Sequence, residues 1–192
     1  MSGDIDLAIR ITLYAWLACE LVLQIRQLLS STPTERTEWR SLLLFVALMG
    51  AASWAAHPVA RAAPALDYST TSPAARAIVL LFVWAGMGLR LWAIVTLGRF
   101  FRGTVHVQRD HQVVRSGPYR WARHPAYSGT LLAGLALGVT FDNAAALLVF
   151  AAGGAMAVGY RIHVEERFLS RALGSAYTEY AAVTRRLIPG VW

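Results

Sequence analysis

The chain has 192 residues, 56% of them hydrophobic and only 15% charged, with a mean hydropathy of +0.45. A water-soluble domain carries about 45–50% apolar and about 25% charged residues, so water is not the main solvent and a separate soluble catalytic domain is not expected within these residues. The formal charge of +7 comes from 18 basic residues, all arginine, spread between apolar segments and not gathered on one module, which argues for membrane orientation and against nucleic acid.

The first residues carry Asp4 and Asp6 where a signal peptide would be basic, and no small-residue cleavage site follows a short apolar core. The first apolar run, residues 7–29, is therefore expected to stay as a span. Within it Arg10 lies near an end where it can snorkel, and Glu20 lies deeper and should face protein or a cavity. Cys19, the single cysteine, also falls here, which excludes an intrachain disulfide framework and a cysteine zinc cluster. A loop with Pro33, Glu35, Arg36, Glu38 and Arg40 leads to a second run at 41–59. The third run, 74–97, contains Arg90, which needs a partner or water.

After a polar insertion at 98–125, hydrophobicity resumes at 127–141, breaks at Asp142 and Asn143, and continues over 144–160, the pattern of a helical hairpin. Its first arm would reach only about 22 Å as a helix. Gly134 and Gly138 form a GxxxG pair, and Gly153, Gly154 and Gly159 punctuate the second arm, as close helix contact requires.

The arginines decide the topology. Five spans place Arg26, Arg36, Arg40, Arg99, Arg102, Arg109, Arg115, Arg120, Arg123, Arg161, Arg167, Arg171, Arg185 and Arg186 on one side and Arg10, Arg61 and Arg76 on the other, with Arg90 inside a span. Fourteen against three puts the insertion and tail in the cytoplasm by the positive-inside rule. The expected fold is an all-α, multi-pass integral membrane protein of about five transmembrane helices with a cytoplasmic insertion and a helical C-terminal tail. Residues 1–97 supply the first three spans, and 98–192 the insertion, hairpin and tail.

The insertion holds the first chemical constellation. Residues 104–108 alternate like a strand, 109–111 read as a turn and 112–115 as extended again, which predicts a small hairpin. Ser116, Gly117 and Pro118 mark a turn, followed by Tyr119 and then Arg123, His124, Pro125, Ala126 and Tyr127. Pro125 suits the first helical turn and leaves His124 at the helix entrance, where the positive end of the helix points. The plainer alternatives are a helix cap for His124 and an interfacial aromatic belt for Tyr119 and Tyr127.

The second constellation is Tyr160, Arg161, His163, Glu165 and Glu166, where the last span leaves the membrane. Arg161 and Glu165 are four apart and share a helix face, consistent either with a salt-bridged helix end or with a site. Trp84, Trp92, Phe100 and Phe101 could border a lipid-side cleft or serve as packing. Other chemistries lack their residues. The one G-x-G, Gly86-Met87-Gly88, lies inside an apolar helix and reads as packing; the chain's five histidines are too few for a membrane di-iron site; and no H-E-x-x-H follows His163, so no metal is expected.

Taken together, HQVVRSGPYRWARHPAYSG (111–129), RIHVEERFLSRALGSAYTEY (161–180) and Pro189-Gly190 resemble membrane methyltransferases of the isoprenylcysteine carboxyl methyltransferase type, with phospholipid N-methyltransferases as more distant relatives. The resemblance covers roughly the C-terminal half. It implies S-adenosyl-L-methionine as cofactor, bound at the cytoplasmic face by the insertion and the end of the last helix. Carried over by position, His111, Gln112, Val113, Val114, Gly117, Tyr119, Arg123, His124, Pro125, Ala126, Tyr127 and Glu165 would bind the cofactor, with Thr104 a weaker candidate. Where the family often has a small polar residue or methionine, this chain has Ala126, so only a backbone role is carried over there. Arg161, Glu165 and Glu166 would form the catalytic group, with Arg161 facing the acceptor.

The implied activity is methylation of a lipophilic acceptor reached from the bilayer, an isoprenylcysteine-like carboxylate, because a guanidinium holds a carboxylate bidentately and a carboxylate needs no general base. Two alternatives stay open. One is N-methylation of a phospholipid or other lipophilic amine, with His163 or Glu166 as base; the other is a non-catalytic lipid-binding scaffold. The partners implied are a lipophilic or prenylated substrate and the bilayer, without nucleic acid.

Overall fold

A computed structural model describes residues 7–8, 11–16, 18–19, 21–22, 25, 37–38, 40–101, 105–106 and 112–187. The described residues between 7 and 25 are helical, and Trp84 Nε1 donates to Thr12 Oγ1 at 3.3 Å, setting this stretch against the third run. Then come β1 (Thr37–Glu38), α1 (Arg40–Ala62), α2 (Pro73–Leu97), β2 (Val105–His106), α3 (Pro125–Gly138), α4 (Ala144–Leu173) and α5 (Ser175–Val183), with short 3-10 turns between several of them. Among the described residues α1, α2 and α4 are long and apolar enough to cross a membrane, and Pro125–Phe141 is a shorter apolar helix. Arg10 and Glu20 of the first expected span, and the oligomeric arrangement, lie outside what is described.

Local chemistry sets the helix ends. Ser72 caps α2 by accepting from Ala75 N at 3.1 Å, with Pro73 in the first turn where its missing N–H costs nothing. The expected break after α3 is present: Asp142 takes a left-handed conformation (φ 54°) and Asn143 caps α4 by accepting from Ala146 N at 3.0 Å. Asp142 Oδ1 also accepts from Thr70 N and Oγ1 at 2.7 and 2.6 Å, and Asn143 Nδ2 donates to Asp67 Oδ1 at 2.7 Å. Two loops at the far end of the bundle are thus locked together.

α2 packs antiparallel on α3, and α1 antiparallel on α4, with α3 against α4 joining the pairs. Lipid tails are as apolar as the helices, so association depends on close van der Waals fit and not on burial from water. Small residues supply it. A Cβ on Gly86 would meet Ala133 N and Gly129 O at 2.6 Å each, and one on Gly153 would run into the Ala52 side chain. The Gly86 packing reading therefore holds. The expected GxxxG contact is looser: a Cβ on Gly138 would press on Phe150 at 2.9 Å, while Gly134 has ordinary clearance and Gly159 has open space. Arg90 finds its partner across the α2–α3 contact, donating from Nη1 to Thr130 Oγ1 at 3.1 Å.

Two expectations are corrected. β2 does not fold back on 112–115: its partner is β1, antiparallel, with Thr37 opposite His106 and Glu38 opposite Val105. Residues 112–115 form no strand. Short alternating stretches do not name their partner, and here the partner comes from the first loop. α4 also runs thirteen residues beyond the expected end at 160, reaching Leu173. At about 45 Å it exceeds a hydrocarbon layer of about 30 Å, so its last ten residues, with Glu165 and Glu166, project past the membrane.

Candidate active site at the end of the bundle

The turn before α3 and the projecting end of α4 come together at one end of the bundle, and α5 with the strand-like residues after it closes them in. Pro125 occupies the first turn of α3 and His124 its N-cap position, with φ −126° and ψ 53°. His124 is thus the cap residue by position, but its side chain makes no capping bond. Its ring is buried instead, 5.8 Å from the Tyr127 ring.

Tyr127 is the hinge of the site. Its hydroxyl donates to Glu165 Oε2 at 2.8 Å and accepts from Arg161 Nε at 2.8 Å. Arg161 and Glu165 therefore share a face as their spacing predicts, but a tyrosine from α3 joins them. Arg161, buried to 4% exposure, also donates from Nη1 to Ser41 Oγ at 3.2 Å.

Glu166 has a different environment. Arg123 Nε donates to its Oε1 at 2.8 Å and Arg186 Nε to its Oε2 at 3.0 Å, while His124 Nε2 stands 3.5 Å from Oε1. Burial alone would raise this carboxyl; hydrogen bonding and charge from His124, Arg186 and Arg123 outweigh it and hold the pKa at about 2. Glu166, expected in the catalytic group, is thus held by two arginines. Both oxygens are bound to arginines and a carboxylate this acidic is a poor proton acceptor, so the residue clamps structure together.

What it clamps is the C-terminal strap. Residues 184–187 lie beside the His124 turn, with Arg123 N donating to Arg185 O at 2.7 Å, His124 N to Arg186 O at 2.9 Å and Ser128 Oγ to Leu187 O at 2.7 Å. Arg123 Nη1 adds bonds to Ala181 O and Thr184 O, each 2.6 Å. Arg123, carried over as a cofactor ligand, is therefore committed to protein groups in this structure.

The other expected residues divide. Tyr119 is buried with Ala93 and Ala126, and its carbonyl accepts from Tyr180 Oη at 2.6 Å, so it is core and not an interfacial belt. Val114 packs on the same cluster, Val113 is half-buried and Gln112 exposed. Gly117 has φ 55°, and a Cβ there would meet Thr96 Oγ1 at 2.9 Å, so it seats the insertion on the end of α2. His111 and Thr104 lie outside the described residues. His163 is exposed on α4.

The sequence reading missed Ser41, Arg186, Tyr177 and Tyr180. The last two stand three apart on an amphipathic tail helix, a detectable packing signal. Their aromatic rings meet edge to face, 6.2 Å apart, and Arg115 lies over the Tyr180 ring.

Among the described residues Tyr177 Oη is buried with no hydrogen-bond partner, and His124 Nε2 has only its long 3.5 Å approach to Glu166 Oε1. Burial and the nearby Glu166 and Glu165 carboxylates push the Tyr177 phenol up, so it stays protonated and able to donate. Orphaned buried groups of this kind are costly unless something else satisfies them. With the Glu166 and Glu165 carboxylates near Tyr177, such atoms suit a small ligand that brings its own hydrogen-bonding groups. No group of three or more His, Cys, Asp or Glu side chains able to hold a metal ion occurs among the described residues.

Fold and site thus define an integral membrane helical protein with a polar, partly water-excluded centre at one end of its spans. Residues 78–171 match the isoprenylcysteine carboxyl methyltransferase (ICMT) family. The chain is 35% identical over 104 residues to protein-S-isoprenylcysteine O-methyltransferase B of Arabidopsis thaliana, covering 53% of each chain. It is 30% identical over 116 residues to protein-S-isoprenylcysteine O-methyltransferase of Saccharomyces cerevisiae, covering 59% of this chain and 48% of that one. The solved structure of a eukaryotic intramembrane Ras methyltransferase, ICMT, is similar with a TM-score of 0.62 at 26% identity, over 76% of this chain and 52% of the other. The chain is thus similar to the ICMT family over residues 78–171, and it spans about half the length of these relatives.

Proposed function

We propose that the protein is a membrane methyltransferase that uses S-adenosyl-L-methionine to O-methylate the carboxylate of a lipophilic, isoprenylcysteine-like acceptor, with its cofactor site on the cytoplasmic face. The observation that carries this reading is the Arg161–Tyr127–Glu165 chain of 2.8 Å bonds at the level where α4 leaves the membrane. It places a cation suited to an acceptor carboxylate beside an anion suited to a sulfonium cofactor. The O-methyltransferases named above support the choice of acceptor.

The cofactor, when bound, supplies a methyl group on positively charged sulfur. The chain's own residues have to hold two reactants in line at about 3–3.5 Å and keep water out. Glu165 would offer negative charge to the cofactor, and Tyr177 Oη an unsatisfied hydrogen-bonding group. Arg161 holds the acceptor carboxylate, which is already ionised at neutral pH and needs no base. The cofactor would supply an electrophilic methyl and keep the leaving electron pair on its sulfur, while Glu165 and Arg161 would hold the two reactants. The clamping of Glu166 weighs against the N-methylation alternative, which needs a base at that position or at His163.

Calorimetry on detergent-purified protein tests the cofactor: binding is expected in the wild type and weakened about tenfold or more in Glu165→Ala. Radiolabelled cofactor with a prenylcysteine analogue tests the acceptor. A base-labile, volatile methyl is expected; base-stable label in a lipid headgroup would overturn O-methylation, and no cofactor binding by folded protein would overturn the enzyme reading.

A further inference from the structure

A cation inside a helix bundle is expensive unless partners hold it in place. Arg161 is held from two helices at once. Tyr127, on α3, takes the Nε edge, and Ser41, the second residue of α1, takes Nη1. Ser41 is wholly buried at 0% exposure and lies well before residues 78–171, the stretch that matches the family.

Helix packing makes this meeting. α1 and α4 run antiparallel and touch most closely where Gly153 receives Ala52. From that point Ser41 is eleven residues back, about 16 Å, and Arg161 eight residues on, about 12 Å; the arginine's long stem spans the difference. Each hydrogen bond to a guanidinium narrows its swing about the stem. The bond from Nη1 to Ser41 helps to fix its plane, and a bidentate carboxylate contact depends on that plane.

We propose that Ser41 is a positioning residue that orients the Arg161 guanidinium for the acceptor carboxylate, bringing the N-terminal half of the chain into the site. The inference rests on the carboxylate methyltransferase reading. Because the Ser41 bond is on the Nη1 edge, whereas Glu165 is reached through Nε and Tyr127, its loss should be felt in acceptor use and not in cofactor binding.

The test compares the 192-residue wild type with Ser41→Ala and Ser41→Thr in detergent. It measures thermal midpoint, S-adenosylmethionine affinity, and steady-state kinetics with N-acetyl-S-farnesylcysteine as acceptor. Ser41→Ala is expected to keep its midpoint and cofactor affinity while acceptor KM rises about five- to tenfold, the loss of one charged hydrogen bond. Ser41→Thr, which retains a hydroxyl, should recover most of that. In an Arg161→Ala background, adding Ser41→Ala should have no further effect. Unchanged acceptor kinetics in Ser41→Ala, with an active wild type, overturns the role of Ser41 and leaves the methyltransferase reading intact. A parallel fall in midpoint and cofactor affinity makes Ser41 merely structural and likewise overturns it. A folded wild type that neither binds the cofactor nor methylates the probe removes both readings. If Ser41→Ala does not accumulate, Ser41→Thr against Ser41→Val makes the same comparison at nearly equal volume, and equal acceptor KM in the two overturns the proposal.

Discussion

Tyr127 and Glu166 divide the work of the site between ligand-facing and structural groups. Tyr127→Phe removes one hydroxyl that both donates to Glu165 and accepts from Arg161. Its expected result is about a tenfold loss in cofactor affinity together with a raised acceptor KM, read by calorimetry and kinetics, without loss of fold. Glu166→Gln should act elsewhere, loosening the strap at 184–187, and limited proteolysis would detect this as faster cleavage after Arg185 or Arg186. The same clamp predicts a pH effect. Since the folded-state pKa of about 2 lies below the ordinary 4.5, the Glu166 carboxylate contributes fully above about pH 4.5 and loses its contribution as pH falls towards 2. Thermal midpoints measured from pH 5 to pH 2.5 should fall in the wild type, and fall less in Glu166→Gln.

Helices in this protein recognise each other through glycine and alanine. Gly86→Ala places a methyl 2.6 Å from Ala133 N and Gly129 O, both backbone atoms that cannot move aside cheaply. The expected cost is about 1–3 kcal/mol, seen as a lowered thermal midpoint in detergent. Gly88→Ala, two residues on, meets nothing within 4 Å and should leave the midpoint unchanged or raise it slightly, since alanine favours the helix. The pattern of apolar runs predicted α1 to α3 and the start of α4 closely, because a span must be long and continuous to satisfy its backbone in lipid. It did not predict which glycines lie at contacts. Gly134 and Gly159 are as legible as Gly86, yet neither is pressed by a neighbouring helix, since that depends on how each helix is rotated.

For the whole molecule, the fourteen arginines that five spans would place on one side predict an orientation that labelling can check. With Cys19 replaced by serine, a cysteine at Ser69, on the exposed loop opposite the site, should react with a membrane-impermeant maleimide in intact cells. A cysteine at Glu179, exposed on α5, should react only after permeabilisation. The reverse pattern would put the site outside.

The sequence by itself determined the membrane setting, the span positions and the two motifs at 111–129 and 161–166. These depend on local hydrophobicity, turn chemistry and side-chain type, which each short segment carries within it. Only the tertiary structure decided which charges meet. Ser41 reaches Arg161 across 120 residues, Arg186 neutralises Glu166 and Arg123 turns to the tail; β2 pairs with β1. Such meetings follow from how antiparallel helices seat on small residues, and no periodicity within a segment encodes the partner that packing brings to it.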